Sequence, residues 1–318
     1  MKAARIHAFG GPEVIRYEEI PPPVPRENEV LFKVTSTSLN YADVQWRLGN
    51  YVERTLPATL GREAAGIIEA VGPGVTALRV GQPIMARVSG GHAEYAIAQV
   101  HNAFPCPEGV DMTQAGGMPV VFLTAYYLLK SMKPLHAGDA VLVHAAASGV
   151  GTVLTQLARQ WGFRVIASAS TEAKLELARS LGAHDTINYT TQDFESEVLR
   201  LTGGTGVPLV LEAVGGEVTV KSVRCLAPHG LLVNYGNASN TPASLPLSSF
   251  RDNRGARGFG LPGMPPAENQ RAMAELLHLV ADTQLRLIVD RVLPLSEAAQ
   301  AHAHLSNRGA MGKVMLIP

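Results

Sequence analysis

The feature that most constrains this chain is one stretch, AVLVHAAASGVGTVLTQLARQWGFRVIASAS, which runs from Ala140 to Ser170. It begins with a short apolar run and passes through a turn of small residues. Apolar residues at helical spacing follow, and a second apolar run, Val165 to Ala167, closes the stretch. Strand, tight turn, helix and strand form the unit that binds a dinucleotide pyrophosphate at a helix N-terminus. The stretch therefore predicts a dinucleotide-binding α/β unit.

The small-residue turn matches the usual phosphate-binding pattern only in part. Against G-x-G-x-x-G, the three glycine positions hold Ala146, Ser148 and Gly151. The motif alone leaves open a turn that is merely structural, whereas the strand before it and the helix after it favour a cofactor turn. The residues that we expect to contact the cofactor here are Ala147, Ser148, Gly149 and Val150.

The residues after the second apolar run bear on which dinucleotide binds. An NAD site usually has Asp or Glu about 20 residues after the glycine turn, where it binds the ribose hydroxyls. The chain has Ser168, Ala169 and Ser170 here, and the first acid is Glu172. Without a carboxylate at the strand end a 2′-phosphate is permitted. Ser168 and Ser170 can donate hydrogen bonds to it and Lys174 can supply charge, so we predict NADPH. The alternative for Lys174 is an ordinary solvated helix residue.

The rest of the chain divides into two patterns. At 318 residues it exceeds a typical single core, so two domains are expected. Residues 1 to about 118 have short runs broken by Gly and Pro clusters, which predict a small barrel-like β domain. From there strands alternate with helices, which predicts a doubly wound parallel sheet, the Rossmann arrangement. The tail returns to the first domain, so the predicted domains are 1–118 with 259–318, and 119–258.

Several element bounds follow from the same patterns. Strands are predicted at Ala140–Val143, Arg164–Ala167, Asp185–Asn188, Pro208–Leu211 and Gly230–Asn234. In the tail we predict a helix over Ala267–Asp282, a strand over Leu285–Asp290, and then a last helix and strand.

Composition excludes several classes of partner. Lys and Arg together number 27, as do Asp and Glu, and there is no basic run, which argues against nucleic acid or an anionic membrane as the main partner. No apolar stretch is long enough to span a bilayer, and the N-terminus lacks the pattern of a signal peptide. Two cysteines, Cys106 and Cys225, are too few for a disulfide framework. We therefore expect a cytoplasmic protein.

Further motifs are specific when taken together in their order and spacing. They are Ser38–Asp43 (SLNYAD), Arg47–Tyr51 (RLGNY), Leu60–Gly66 (LGREAAG), Leu123–Tyr126 (LTAY), Ile187–Tyr189 (INY), Tyr235–Asn237 (YGN) and Gly312–Lys313. With the cofactor turn, they make the whole chain resemble the zinc-independent quinone oxidoreductases of the medium-chain dehydrogenase/reductase superfamily, the zeta-crystallin-like group. The resemblance implies a Rossmann NADPH-binding domain and a GroES-like β-barrel catalytic domain. It also implies homodimers that join the edges of two cofactor-domain sheets.

The resemblance also implies roles for particular residues. The family's 2′-phosphate contacts fall on Lys174 and Tyr189. Its nicotinamide-side contacts fall on Asn40, Thr124, Gly236, Asn237 and the Gly312–Lys313 stretch, and Val214 is a further predicted cofactor contact. Tyr51 stands where the family often has a tyrosine near the substrate cleft. Gln45 and Trp46 depart from the aromatic spacing that some members show.

Zinc alcohol dehydrogenases belong to the same superfamily, which makes zinc an alternative. Their catalytic zinc uses a Cys in the first of these motifs and a His after the glycine of the second, whereas this chain has Leu39–Tyr41 and Arg62 there. Structural zinc needs four closely spaced thiolates, and none lie between residues 88 and 100. His92 and Glu94 lack a third ligand, and we interpret them as separate surface residues. We predict no metal site, and we interpret His144, beside the cofactor turn, as structural.

Without zinc there is no Lewis acid to polarise an alcohol or ketone, so the favoured substrate is already electrophilic: a quinone or another activated carbonyl or enone. The predicted catalytic residues are Asn40 and Tyr51 as hydrogen-bond donors to the substrate oxygen, with Arg62 as a weaker candidate. Asp43 and Glu63 are interpreted as residues that hold loops. Two alternatives remain at this stage: an NADPH-binding structural or sensing protein with little turnover, and a zinc-type alcohol dehydrogenase.

Overall fold

The computed structural model describes residues 1–50 and 55–318. The chain divides into two compact units. We call Met1–Leu123 with Met264–Pro318 the β unit, and Thr124–Gly263 the parallel-sheet unit. The divisions fall after residues 123 and 263, whereas the sequence placed them after 118 and 258.

The strands and helices are as follows in chain order. The strands are β1 Lys2–Ile6, β2 Ile15–Glu19, β3 Glu29–Leu39, β4 Ala58–Thr59, β5 Glu63–Val71, β6 Pro83–Arg87, β7 Tyr95–Gln99, β8 Ala103–Pro105, β9 Ala140–Val143, β10 Arg164–Ala169, β11 Asp185–Asn188, β12 Val207–Glu212, β13 Leu226–Asn234, β14 Gly255–Gly258, β15 Val289–Pro294 and β16 Lys313–Ile317. The α-helices are α1 Tyr41–Arg47, α2 Met112–Ala115, α3 Met118–Lys130, α4 Gly149–Gln160, α5 Glu172–Leu181, α6 Phe194–Leu201, α7 Gly216–Arg224, α8 Pro266–Ala281 and α9 Ala298–Ser306.

The β unit is built mainly from short antiparallel strands, as predicted. Its larger sheet has the order β15-β16-β3-β5-β6-β8, with β7 also paired to β3, and a three-stranded sheet has the order β2-β1-β4. The long strand β3 alternates side chains across the sheet, so that Val30, Phe32 and Val34 enter a core with Ile68 and Ile84. This core fixes the end of β3, where the polar residues described below begin.

The first of the two strands predicted for the tail is wrong in position. The sequence placed it at Leu285–Asp290, but pairing with β16 begins only at Val289, opposite Lys313. Leu285 and Leu287 are buried, and their alternation mimics a strand although neither is paired. The alternation of apolar and polar residues reflects burial of every second side chain here, without strand pairing. The sequence pattern alone does not distinguish a buried segment of this kind from a paired strand.

The parallel-sheet unit contains six strands in the order β11-β10-β9-β12-β13-β14. All of its pairings are parallel. The chain moves outward from β9 to β11 on one side and from β12 to β14 on the other, so the order reverses between β9 and β12. In such sheets ligands bind at the carboxyl ends of the strands beside this reversal. The predicted doubly wound sheet is confirmed.

The local sequence explains why β9 and β11 have their predicted bounds while β13 does not. β9 is a short apolar segment (AVLV), whereas β11 (DTIN) has one buried apolar residue, Ile187, and both strands are followed directly by turn residues. By contrast, β13 begins at Leu226, four residues before the predicted Gly230, because Leu226 pairs with Val207 of β12 across a register shift. Such a shift depends on the neighbouring strand and leaves no local pattern.

Candidate active site

The first feature of the site is the turn that joins β9 to α4. The Ser148 hydroxyl caps the helix by accepting a hydrogen bond from Gly151 N at 3.1 Å, and the first intrahelical bond runs from Thr152 N to Ser148 O at 2.9 Å. The N–H groups of Gly149 and Val150 therefore precede any intrahelical partner. They lie at the positive end of a twelve-residue helix beside the strand-order reversal. This turn can hold a diphosphate, and Ala147, which precedes Ser148 in it, is buried.

The second feature is the edge formed by the ends of β10 and β11. Ala169 pairs with Asn188, so Ser170 and Tyr189 follow adjacent strand ends, and Tyr189 N donates to Ala169 O at 3.2 Å. The Tyr189 side chain is exposed. Lys174 lies in the first turn of α5. Ser170, Lys174 and Tyr189 thus come from three segments that meet at this edge.

The first acid after β10, Glu172, lies at the start of α5 and not at the strand end. The Glu172 carboxylate accepts a hydrogen bond from Arg179 Nη1 at 2.5 Å, two turns further along the same helix. A carboxylate that binds ribose hydroxyls would have to be available at the strand end. The edge therefore fits a 2′-phosphate.

The predicted contact of the Ser168 side chain with that phosphate is wrong. Ser168 is fully buried, and its Oγ lies 2.8 Å from His144 Nδ1. His144 Nε2 lies 2.9 Å from Ser222 Oγ, which donates its single hydrogen to Val218 O. Ser222 must accept from Nε2–H, so Nδ1 accepts from the Ser168 hydroxyl. The Ser168 proton points into the protein.

The same series of hydrogen bonds accounts for the role of His144. Burial lowers the pKa of His144 to about 4, so the ring is neutral near pH 7. A neutral imidazole with one donor and one acceptor nitrogen, each engaged by a serine, links β9 to β10 and α7. The interpretation of His144 as a structural residue fits this geometry.

The third feature lies at the carboxyl ends of β12 and β13. Val214 follows β12, whereas Gly236 and Asn237 follow β13. Two backbone bonds join these segments: Ala238 N donates to Ala213 O at 2.9 Å and Ser239 N to Val214 O at 2.7 Å. Two residues assigned to the nicotinamide side, Gly236 and Asn237, are thereby brought beside Val214, a further predicted cofactor contact. Thr124, which is buried, lies within α3.

The β unit contains a buried polar cluster centred on Glu63. Its Oε1 accepts hydrogen bonds from Ser38 Oγ at 2.7 Å, Asn40 Nδ2 at 2.9 Å and Lys313 Nζ at 2.9 Å, and its Oε2 accepts one from Val120 N at 2.7 Å. Glu63 and Lys313 are 0% and 2% exposed. The pair is therefore a desolvated salt bridge with further donors around the carboxylate, the arrangement that a buried charge requires.

This cluster changes the role expected of Lys313. Its ammonium donates to Leu39 O at 2.8 Å, to Asn40 Oδ1 at 2.9 Å and to Glu63, which uses all three of its hydrogens. The Lys313 ammonium therefore has no hydrogen left for the nicotinamide, and a contact through the backbone of the Gly312–Lys313 stretch stays a prediction. The Lys313 side chain instead positions Asn40.

Asn40 is held in one orientation by two partners of opposite chemistry. Lys313 can only donate, so it faces the amide oxygen, and the Glu63 oxygen accepts from the amide nitrogen. Asn40 N also donates to Asp43 Oδ2 at 2.8 Å, at the start of α1. Burial raises the pKa of Asp43, an effect that His92 and the Asn40 N–H counteract. Asp43 and Glu63 hold the loop, as interpreted from the sequence.

The remaining residues singled out from the sequence are Arg62, Tyr51 and His92. Arg62 is half-buried, and its charge counteracts part of the rise that burial causes in the pKa of Asp43. Tyr51 lies outside the described residues. The interpretation of His92 as a surface residue is wrong: it is fully buried, its Nε2 lies 3.2 Å from Ser38 O, and its ring meets His302 edge-on at 5.8 Å between centroids. Burial lowers the pKa of both histidines.

The described residues have neither a cluster of metal ligands nor a membrane-spanning helix. Within residues 1–50 and 55–318, no group of three or more His, Cys, Asp or Glu side chains is arranged to hold a metal ion. In the same part of the chain, no helix combines the length and apolar character needed to cross a bilayer.

Comparison with known families agrees with this architecture. Residues 26–109 match the alcohol dehydrogenase GroES-like domain, and residues 181–316 match the family described as zinc-binding dehydrogenase. A GroES-like domain joined to a parallel sheet with a dinucleotide turn defines the medium-chain dehydrogenase/reductase class. The predicted fold, a Rossmann sheet plus a GroES-like domain, is confirmed.

Individual relatives narrow the class. A quinone oxidoreductase of Pseudomonas aeruginosa is 35% identical over 100% of this chain and 99% of its own length. A 2-haloacrylate reductase of a Burkholderia species is 34% identical over 99% and 98%. The solved structure of Escherichia coli quinone oxidoreductase complexed with NADPH superimposes with a TM-score of 0.96 at 31% identity, covering 100% of both chains. The chain belongs to the quinone oxidoreductase family, which confirms the resemblance.

We predict that the Glu63–Lys313 pair is energetically coupled. Lys313→Met leaves the Glu63 carboxylate buried without a cation and should lower the free energy of unfolding by about 3–5 kcal/mol. The double variant Lys313→Met/Glu63→Gln removes both charges. It should lose about 1–3 kcal/mol less than the sum of the two single variants in urea unfolding. Additive losses would contradict the pairing.

Proposed function

We propose that this chain is an NADPH-dependent oxidoreductase that transfers hydride to quinones or to other activated carbonyl and enone acceptors. The observation that carries the proposal is the edge after β10 and β11. There Ser170, Lys174 and Tyr189 meet while the first acid, Glu172, is bound by Arg179. The names of the relatives, quinone oxidoreductase and 2-haloacrylate reductase, support this class of acceptor.

The cofactor would be held by the three segments of the parallel-sheet unit. The Gly149 and Val150 amides would bind the pyrophosphate, and Ser170, Lys174 and Tyr189 the 2′-phosphate. Val214, Gly236 and Asn237 would contact the nicotinamide half, with Thr124 as a further predicted contact. NADPH, when bound, supplies the hydride.

Asn40 is the proposed donor to the substrate oxygen. One Nδ2 hydrogen is used by Glu63, and the second remains for a ligand. Because Lys313 and Glu63 fix the amide, this donor needs little reorganisation when charge develops on the oxygen. Tyr51 and Arg62 stay predicted contributors. A hydroquinone anion can take its proton from solvent, so we assign no general acid.

We propose that the reaction needs no metal. The Glu63 oxygens are already bound by three side-chain donors and one backbone donor, and Asn40 Oδ1 by Lys313. These oxygens are therefore committed and are poor candidates for ligands. An acceptor that is already electrophilic does not require a Lewis acid.

The activity is tested by following NADPH absorbance with 1,4-benzoquinone or 9,10-phenanthrenequinone. We expect turnover that survives chelators in protein free of zinc. Tight NADPH binding without turnover across quinones and enones would instead indicate a binding or sensing protein. Stoichiometric zinc, with activity lost to chelation, would indicate the alcohol dehydrogenase alternative.

The cofactor preference is tested at Lys174. Lys174→Ala should raise the KM for NADPH about 10- to 100-fold and leave the KM for NADH nearly unchanged, because one charge-assisted contact to the 2′-phosphate is lost. Lys33→Ala, which removes an exposed lysine of β3, is the control and should change neither value. Equal effects of Lys174→Ala on both cofactors would contradict the assignment.

We also propose a cytoplasmic homodimer that joins the β14 edges of two sheets. β14 is the last strand of the sheet, and Ala256 to Gly258 are exposed. Strands of this kind pair readily with another chain. Cys106 and Cys225 are both free thiols, which suits a reducing compartment.

Light scattering after gel filtration tests the dimer. The wild type should have twice the chain mass of 33.8 kDa. Ala256→Lys, which places a charge on the edge strand, should shift the protein toward the monomer, whereas Ala256→Ser should not. A wild type with the mass of a single chain would refute the dimer.

A further inference from the structure

Glu212 is a fully buried carboxylate at the end of β12, and no sequence motif assigns it a role. Its Oε1 accepts hydrogen bonds from Val214 N and, at 2.9 Å, from Gly215 N. Its Oε2 accepts from Thr219 Oγ1 at 2.7 Å and from Asn234 Nδ2 at 2.7 Å. All four donors are uncharged. Glu212 therefore differs from Glu63, whose buried charge is balanced by a lysine.

These four bonds join three segments. Val214 and Gly215 belong to the segment after β12, residues 213–215, which we call the β12 loop. Asn234 Nδ2 also donates to Gly236 O at 2.9 Å, so it connects Glu212 to residues 235–239, the β13 loop. Thr219 lies in α7 and connects the carboxylate to that helix.

The two loops are also in direct contact with each other. A Cβ on Gly236 would lie 3.1 Å from Ala213 O, and one on Gly215 would overlap Asn237 Oδ1. Gly215 has φ of 87°, in the region that favours glycine. The close packing of the two loops and the positive φ of Gly215 both require interactions that hold the backbone in place. The Glu212 carboxylate provides four hydrogen bonds at this point.

We propose that Glu212 is a positioning residue, which acts through Asn234 to hold the β12 and β13 loops as one surface for the nicotinamide half of the cofactor. The inference rests on the proposed function, because Val214, Gly236 and Asn237 are the contacts proposed there. A buried carboxylate is costly to desolvate, and an apolar side chain would pack the end of a strand at lower cost. The bonds to both loops account for a carboxylate at this position.

Asn234 and Thr219 provide a matched pair of variants. Each donates one side-chain hydrogen bond of 2.7 Å to the same Glu212 oxygen. Asn234→Ala disconnects the carboxylate from the β13 loop. Thr219→Val disconnects it only from α7 and keeps the shape of the side chain.

The test measures dissociation constants by calorimetry for two ligands: NADPH, and 2′-phospho-ADP-ribose, which lacks the nicotinamide. Asn234→Ala should weaken NADPH binding about tenfold, the equivalent of one hydrogen bond, and change 2′-phospho-ADP-ribose binding less than twofold. Thr219→Val should change neither constant, even where it lowers the melting temperature.

Other outcomes separate the two proposals. Equal weakening of both ligands by Asn234→Ala, no weakening of either, or the same effect from Thr219→Val would overturn the role of Glu212. A wild type that binds neither ligand would overturn the proposed function itself. If Asn234→Ala does not fold, Glu212→Gln, which keeps the side-chain length and one acceptor, should show the same loss confined to NADPH. If Glu212→Gln does not weaken NADPH binding in this selective way, the result would count against the proposal.

Discussion

The Glu63–Lys313 salt bridge is the interaction on which the polar part of the β unit depends. Lys313 begins β16, Glu63 begins β5, Leu39 ends β3, and the bonds around the pair also reach Val120 of α3. Because both charges are buried, neither partner can be removed without leaving the other unpaired in the protein interior. The orientation of the Asn40 amide follows from this pair.

A second buried carboxylate, Glu212, serves a comparable purpose in the parallel-sheet unit by different chemistry. Glu63 is stabilised by a cation and four hydrogen bonds in all, whereas Glu212 relies on two backbone amides, a hydroxyl and an amide side chain. Four neutral donors therefore satisfy the Glu212 carboxylate without a cation. In each unit, one acidic side chain ties together segments that have little regular structure of their own.

The sequence predicts these features unevenly, for physical reasons. Strand–turn–helix patterns are local, so the parallel sheet and its turn are recoverable from sequence. The roles of Ser168 and Lys313 are not, because each is set by distant partners: His144, 24 residues before Ser168, and Glu63, 250 residues before Lys313. The sequence does contain one indication of the role of Glu212. It is an acidic residue at the end of an otherwise apolar strand, Val207–Glu212, at the carboxyl edge of a parallel sheet.

The structure also explains why one glycine of three suffices in the cofactor turn. Only Gly151 needs the absence of a side chain, because a Cβ there would overlap Ala145 O. Ser148 has φ of −74°, which any residue adopts, and its hydroxyl caps α4 as glycine would not. The positive φ of the turn falls on Ala145, at 50°, outside the motif's glycine positions. The phosphate groups would be bound by backbone N–H groups, and these tolerate many side chains. A weak motif match is therefore compatible with a fully formed binding turn.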